Sequence, residues 1–227
     1  MTCDRSSLVA RAPFPYEGVI FDFDGTLADS MGVWRWVDEQ FLARRGLIEP
    51  DGYNRTLAEL GFERSLRYVI DVFGLDDTPQ EIKDEWNDLA LERYSTSVHL
   101  KPGARDYLER IRESALAKMA IATTLTPTLL QAALDNNGIA ELFDAKATGP
   151  EVPCDKSQPD IYQLAADRVG VPPHRCLVFE DIAPGIQSAQ SIGMTAVGVR
   201  DDTGHQDFSL ICSVADDAIE SFEELLP

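Results

Sequence analysis

The run Gly18-Val-Ile-Phe-Asp-Phe-Asp24-Gly25 constrains this chain more than any other stretch. An apolar segment with β-branched residues runs into two carboxylates and then a glycine. A segment of that kind is a strand buried on both faces, as in a parallel sheet, and it ends where Asp24-Gly25 turns. An unpaired carboxylate buried inside such a strand would cost on the order of several kcal/mol. Asp22 and Asp24 therefore belong at the strand's carboxyl end, where a cation offsets their charge and Gly25 permits a tight bend.

Helical patterns follow. From Met31 to Arg45 the apolar residues Val33, Trp36, Val37, Phe41 and Leu42 recur at helical spacing, and the stretches Leu57 to Phe73 and Gln80 to Tyr94 repeat the pattern. Gly74 and the pair Thr78-Pro79 supply stop and start signals. Beyond Lys101-Pro102-Gly103 strand-like runs at Met119 to Ala122, Arg175 to Phe179 and Thr195 to Val199 alternate with helices. Those helices fall near Ala104 to Ser114, Pro127 to Asn137, Gln158 to Val169 and Gly185 to Ile192. Such alternation predicts an α/β fold, a doubly wound, mainly parallel sheet. Residues 1–30 and 101–227 form its core, and residues 31–100 read as an inserted all-helical subdomain.

Composition narrows the partners. A formal charge of −19 on 227 residues opposes binding to nucleic acid or to an anionic membrane surface. The same charge repels a phosphorylated substrate unless a metal ion or a focused Lys inverts the local field. Cys3, Cys154, Cys176 and Cys212 are widely spaced, which suggests neither a zinc site nor a disulfide scaffold and makes a reduced cytoplasm the expected location. The stretch from Met1 to Tyr16 has no sustained apolar run, and no segment approaches the roughly 20 apolar residues of a membrane span. We expect a soluble monomer or weak homodimer.

Ligands of open α/β sheets sit beyond the carboxyl ends of the strands, so polar residues at those ends are the candidates. Asp22 and Asp24 form the first set. Glu180-Asp181 repeats the arrangement after Cys176-Leu-Val-Phe, although an acidic pair also caps helices. Hard oxygen donors from two strand ends suit magnesium. Lys156 stands just before a helix, where it would place a point charge on phosphate oxygens or lie solvated on the surface. Thr123-Thr124 precedes the helix start at Thr126-Pro127, which makes it either a phosphate cradle or a simple turn.

The order and spacing of these pieces resemble the haloacid dehalogenase superfamily from Gly18 to about Val199. Asp22-Phe-Asp-Gly-Thr-Leu-Ala-Asp-Ser matches its first motif, Ile121-Ala-Thr123 the second, Lys156-Ser-Gln-Pro-Asp-Ile the third and Val178-Phe-Glu-Asp-Ile-Ala-Pro-Gly-Ile the fourth. In the third, Ser157 stands where relatives often carry Pro. The resemblance implies that Asp22 attacks phosphorus and that Asp24 protonates the leaving group and later activates water. It also implies magnesium held by Asp22, the Asp24 main-chain carbonyl and Asp181 with help from Glu180, and phosphate oxygens held by Thr123 and Lys156. Retention of Asp24 favours phosphoryl transfer over dehalogenation.

The helical block resembles the family's cap, and the chain is similar to the group of β-phosphoglucomutase and the sugar-phosphate phosphatases. The expected activity is magnesium-dependent hydrolysis of a small phosphorylated metabolite such as a sugar phosphate. A β-phosphoglucomutase-like mutase is the alternative, weakened because Met31-Gly-Val-Trp34 stands where such mutases carry a His; a non-catalytic phospholigand-binding protein is a further alternative. Arg64 would reach from the cap to substrate or remain an exposed helix residue. Thr124 is a further candidate substrate contact. Trp34 and Trp36 would line the cleft or pack into a core. His99, His174 and His205 fall outside the motifs and receive no role.

Overall fold

The computed structural model describes residues 15–60, 62–115, 117–202 and 207–227. Cys3, His205 and most of the stretch from Met1 to Tyr16 lie outside the described residues.

The first strand, β1, spans Gly18–Phe21 and continues into Asp22. A short β2 at Ala28–Asp29 leads into four helices, α1 at Gly32–Arg45, α2 at Tyr53–Leu60, α3 at Phe62–Phe73 and α4 at Pro79–Thr96. After β3 at His99–Leu100 come α5 at Ala104–Ser114, β4 at Lys118–Thr123, α6 at Pro127–Asn137 and β5 at Ala145–Thr148. The chain closes with α7 at Asp160–Val169, β6 at Cys176–Glu180, α8 at Ala183–Ser191, β7 at Thr195–Val199, α9 at Phe208–Val214 and β8 at Asp217–Ile219.

Six strands form one parallel sheet in the order β5-β4-β1-β6-β7-β8. From β1 the chain builds outward to β4 and β5, then crosses to β6 on the other side. The topological switch therefore lies at β1, which pairs Phe21 with Ile121 of β4 and with Phe179 of β6. A crevice opens at the carboxyl end of the strand where the order reverses. That is where Asp22 stands.

Alternation along β1 explains the two layers. Val19 and Phe21 face one side, where Phe21 stacks on Phe179 at 5.1 Å between ring centroids and meets Tyr107 and Phe143 edge-on. Ile20 faces the other, against Ile161, Tyr162 and Ala165 of α7. All three β1 residues are fully buried, as a central parallel strand requires.

Helices α1 to α4 come between β1 and β4. Thr78 and Glu81 form a capping box at the start of α4, with Pro79 in its first turn. The helical pattern from Leu57 to Phe73 is carried by α2 and α3, and residue 61 between them lies outside the described residues. Strands β5 and β8 carry Lys146 and Asp217 at the sheet edges, which hides them from a search for apolar runs. Among the described residues no helix is long and apolar enough to cross a membrane.

One buried carboxylate sits within the helical block. Asp38 on α1 accepts a 2.8 Å hydrogen bond from the Tyr53 hydroxyl, and burial, aided by Glu49 and Glu39, raises its pKa to about 6. Because that lies above the unfolded value of 3.8, the stabilising protonated form is fully present below about pH 4 and is lost as pH rises through about 6. Asp38→Asn keeps an acceptor for Tyr53 without the charge. It should raise stability at pH 7 by on the order of 1 kcal/mol and change little near pH 4. Thermal melting at the two pH values checks this; an equal effect at both would contradict it.

Candidate active site

The site is built from the loops that follow β1, β4 and β6, together with Lys156. Three carboxylates, Asp22, Glu180 and Asp181, bring ligand atoms within 4.8 Å of one another, and all three are buried. The Lys156 ammonium lies among them, donating to Asp22 Oδ1 and, at 2.7 Å, to Glu180 Oε2. Burial alone pulls the Lys156 pKa down, but the charges of Asp22 and Glu180 outweigh it and hold the ammonium protonated. Lys156 does not end a strand as expected. It stands in the loop before α7 and is nonetheless 5% exposed, because the buried carboxylates draw it inward.

Glu180 is fully buried at the end of β6. Its Oε2 also accepts from the Tyr162 hydroxyl at 2.8 Å, and its Oε1 accepts from the Ile182 amide at 3.3 Å. Burial raises its pKa against the pull of Lys156. With both oxygens accepting hydrogen bonds, Glu180 anchors Lys156 while remaining one of the three acids that could hold a metal ion. Asp181 accepts from the Thr26 hydroxyl at 3.0 Å, which orients it, and burial with Glu180 and Asp22 nearby pushes its pKa well up. Fully ionised, the trio would carry three negative charges against one ammonium, and the raised pKa values of Glu180 and Asp181 reflect that excess. Buried oxygen donors with that residual charge fit a divalent cation such as magnesium.

Asp24 has partners of its own. Its Oδ1 accepts from the Ser30 hydroxyl at 2.5 Å and from the Tyr94 hydroxyl, on α4, at 2.7 Å. Burial raises its pKa to about 6, opposed by the Ser30 bond and supported by the Asp22 charge. Such a carboxyl group can give up and take back a proton near neutral pH. The two aspartates of the first motif therefore sit in two environments.

Gly25 follows Asp24 in the turn that the Leu27 and Ala28 amides close on the Phe23 carbonyl. Its φ is +79°, and a Cβ there would lie 2.5 Å from Asp181 Oδ2 and 2.7 Å from Asp201 Oδ2. Lys101 Nζ donates to the Gly25 carbonyl and, at 2.8 Å, to the Arg200 carbonyl, pinning the turn from below. Gly185, in the first turn of α8, has a different reason: a Cβ would meet the Tyr162 hydroxyl at 2.6 Å and Glu180 Cδ at 2.7 Å.

Thr123 ends β4 beside β1, fully buried, with its hydroxyl oxygen accepting from the Leu125 amide at 3.2 Å. Thr124 is exposed at the rim. Arg64 is exposed, and its Nε donates to the Leu60 carbonyl at 2.8 Å. Its charge contributes, after two hydrogen bonds from Ser157, to lowering the pKa of Asp155 in the loop that carries Lys156. Trp34 packs its ring on Phe62 at 5.1 Å between centroids, and the Arg93 guanidinium lies over Trp36, so both tryptophans belong to the packing of the helical block. His99 and His174 are exposed. The sequence reading missed Ser30, Tyr94, Lys101 and Tyr162 as site residues. Of these, Ser30 closes the quoted first motif and had a signal; the others had none.

Comparison with known proteins agrees with this geometry. The family model for haloacid dehalogenase-like hydrolases matches residues 16–193. The chain is 32% identical over 192 residues to protein CbbY of Rhodobacter capsulatus, covering 80% of this chain and 84% of that one. It is 31% identical over 187 residues to the fructose-1-phosphate phosphatase YqaB of Escherichia coli K12, covering 82% of this chain and 97% of that one. The crystal structure of CbbY from Rhodobacter sphaeroides in complex with phosphate shares the fold, with a TM-score of 0.77, 24% identity and coverage of 93% and 96%.

Gly25→Ala should damage the site in a recognisable way. Strain at the positive φ should cost roughly 1 kcal/mol or more of stability. Displacement of Asp181 should also weaken magnesium binding, read as a smaller magnesium-induced rise in melting temperature than the parent shows. An unchanged magnesium response would contradict the packing described for Gly25.

Proposed function

The chain belongs to the haloacid dehalogenase-like hydrolases, and from that premise we propose that it is a magnesium-dependent phosphatase of a small phosphorylated metabolite, plainest as a sugar phosphate. The observation that carries this reading is the division of Asp22 and Asp24. One carboxylate is held by a lysine beside two further acids; its neighbour, two residues on, has a pKa raised to about 6. A carboxylate nucleophile beside a proton donor is what a two-step phosphoryl transfer needs.

In this reading an oxygen of Asp22 attacks phosphorus while the bond from phosphorus to the leaving oxygen breaks. The proton on Asp24 passes to that oxygen, and the alcohol departs. Asp24, now a carboxylate, takes a proton from water as the water attacks phosphorus and breaks the Asp22 acyl phosphate. Inorganic phosphate leaves and both groups return to their starting states. Lys156 and the Thr123 hydroxyl hold phosphate oxygens, and Glu180 holds Lys156 in place. Asp22 and Asp181, with Glu180 behind them and the Asp24 main-chain carbonyl beside them, would hold magnesium, which when bound supplies positive charge against the repulsion between Asp22 and phosphate.

We read helices α1 to α4 as a cap that closes the crevice and excludes water, with Arg64 and, at the rim, Thr124 as substrate contacts. The fructose-1-phosphate phosphatase among the relatives supports a sugar-phosphate substrate. The wide spacing of its cysteines supports a reduced cytoplasm as the place where it works.

Phosphate release from a panel of phosphomonoesters tests the proposal. Release that needs magnesium and stops with EDTA is expected; silence across the panel, or isomerised sugar phosphate without free phosphate, would overturn it. Asp22→Asn should abolish turnover while the fold persists, and Asp24→Asn should slow it by roughly 10²-fold or more. Retained activity in Asp22→Asn would refute the nucleophile.

A further inference from the structure

Tyr94 stands 70 residues from Asp24 in the chain, yet its hydroxyl donates to Asp24 Oδ1 at 2.7 Å. Ser30, just after β2, donates to the same oxygen at 2.5 Å. With both donors on Oδ1, the transferable proton of Asp24 falls to Oδ2. The carboxyl group is thereby fixed in rotation as well as in position.

Tyr94 is itself rigid. Its ring is fully buried in the main hydrophobic cluster, so only the hydroxyl does polar work. It stands two residues before the end of α4, which packs along α6 of the core. The Asn136 and Asn137 side chains both donate to the Val98 carbonyl at 2.9 Å, tying the exit of α4 to the end of α6. Below that, β3 pairs with β2 and Lys101 grips the Gly25 carbonyl. The hydroxyl and the loop of Asp24 are thus braced against the same frame. Burial and the Asp24 charge push the Tyr94 phenol well above its ordinary pKa, so it remains a donor at working pH. A catalytic group held within about half an ångström of its productive position keeps its rate; a looser one loses it.

We propose that Tyr94 is the positioning residue for Asp24, aiming its proton at the leaving oxygen during phosphoryl transfer to Asp22. This rests on the phosphatase reading above. In the step concerned the Asp22 oxygen–phosphorus bond forms, the bond from phosphorus to the alcohol oxygen breaks, and the proton moves from Asp24 to that oxygen. An alkoxide leaving group needs this proton, whereas a nitrophenolate departs without it. Loss of the Tyr94 hydroxyl must therefore discriminate between leaving groups, which a merely structural role would not do.

The test is kcat/KM, which reports steps through departure of the leaving group, for the parent and Tyr94→Phe with a hexose phosphate and with 4-nitrophenyl phosphate, at saturating magnesium. Tyr94→Phe should lower kcat/KM for the hexose phosphate by roughly 10-fold or more and leave that for 4-nitrophenyl phosphate within about twofold. In an Asp24→Asn background the same change should add nothing further for the hexose phosphate. Equal losses on both substrates, no loss on either, or a full additional loss in the Asp24→Asn background would overturn the inference. Melting temperature checks the fold, and Tyr94→Leu, which also lacks the hydroxyl, replaces the Phe variant should that fail to fold. A parent inactive on both substrates would sink the phosphatase reading itself; an active parent without the split would sink only the role of Tyr94.

Discussion

Everything in this crevice depends on one ammonium among three buried carboxylates. Asp22, Glu180 and Asp181 stand at the ends of two neighbouring central strands, where the main chain has no freedom to spread them apart. Left uncompensated, such a group would cost more than a domain's marginal stability allows. Lys156 offsets part of that charge, and it does so from a loop, not from the sheet. Its own anchorage on Glu180, which Tyr162 and the Ile182 amide hold in turn, makes the position stiff. The residual charge is what equips the site to take a divalent cation, and through it a phosphate that the protein's charge of −19 would otherwise repel.

The same crowding dictates small residues nearby. Gly25 and Gly185 are where they are because Asp181 and Glu180 occupy the space a Cβ would need. The two aspartates of one short motif nonetheless meet different partners. Asp22 faces Lys156 and the acids; Asp24 faces Ser30 and Tyr94 and keeps its proton to higher pH than an ordinary aspartate does. Backbone geometry, more than residue type, gives the two identical side chains different chemistry.

Much of this was legible in the sequence because it rests on local patterns. Apolar runs ending in Asp22 and in Glu180-Asp181 mark central parallel strands, and ligands collect where such strands end. What stayed hidden was set by contacts between distant parts of the chain. Tyr94 reads as one more apolar residue on a helix face, and nothing in its neighbourhood says that its hydroxyl meets Asp24. Tyr162 and Lys101 are hidden for the same reason. Glu180 reads as a metal donor, and no spacing reveals that its oxygens also hold Lys156, Tyr162 and the Ile182 amide. Trp34, open between cleft and core, settles into packing on Phe62. Strands β5 and β8 escaped notice because edge strands tolerate polar residues.

The central claim is that Asp22 itself carries the phosphoryl group. Trapping is its most direct measurement: the enzyme is mixed with magnesium and a phosphomonoester that it hydrolyses, quenched within one turnover and treated with borohydride, which reduces an acyl phosphate to the alcohol. Peptide mass spectrometry should then find residue 22 converted from aspartate to homoserine, and only when substrate was present. Rapid hydrolysis of the substrate with residue 22 unmodified, or with the label on another carboxylate, would contradict the account.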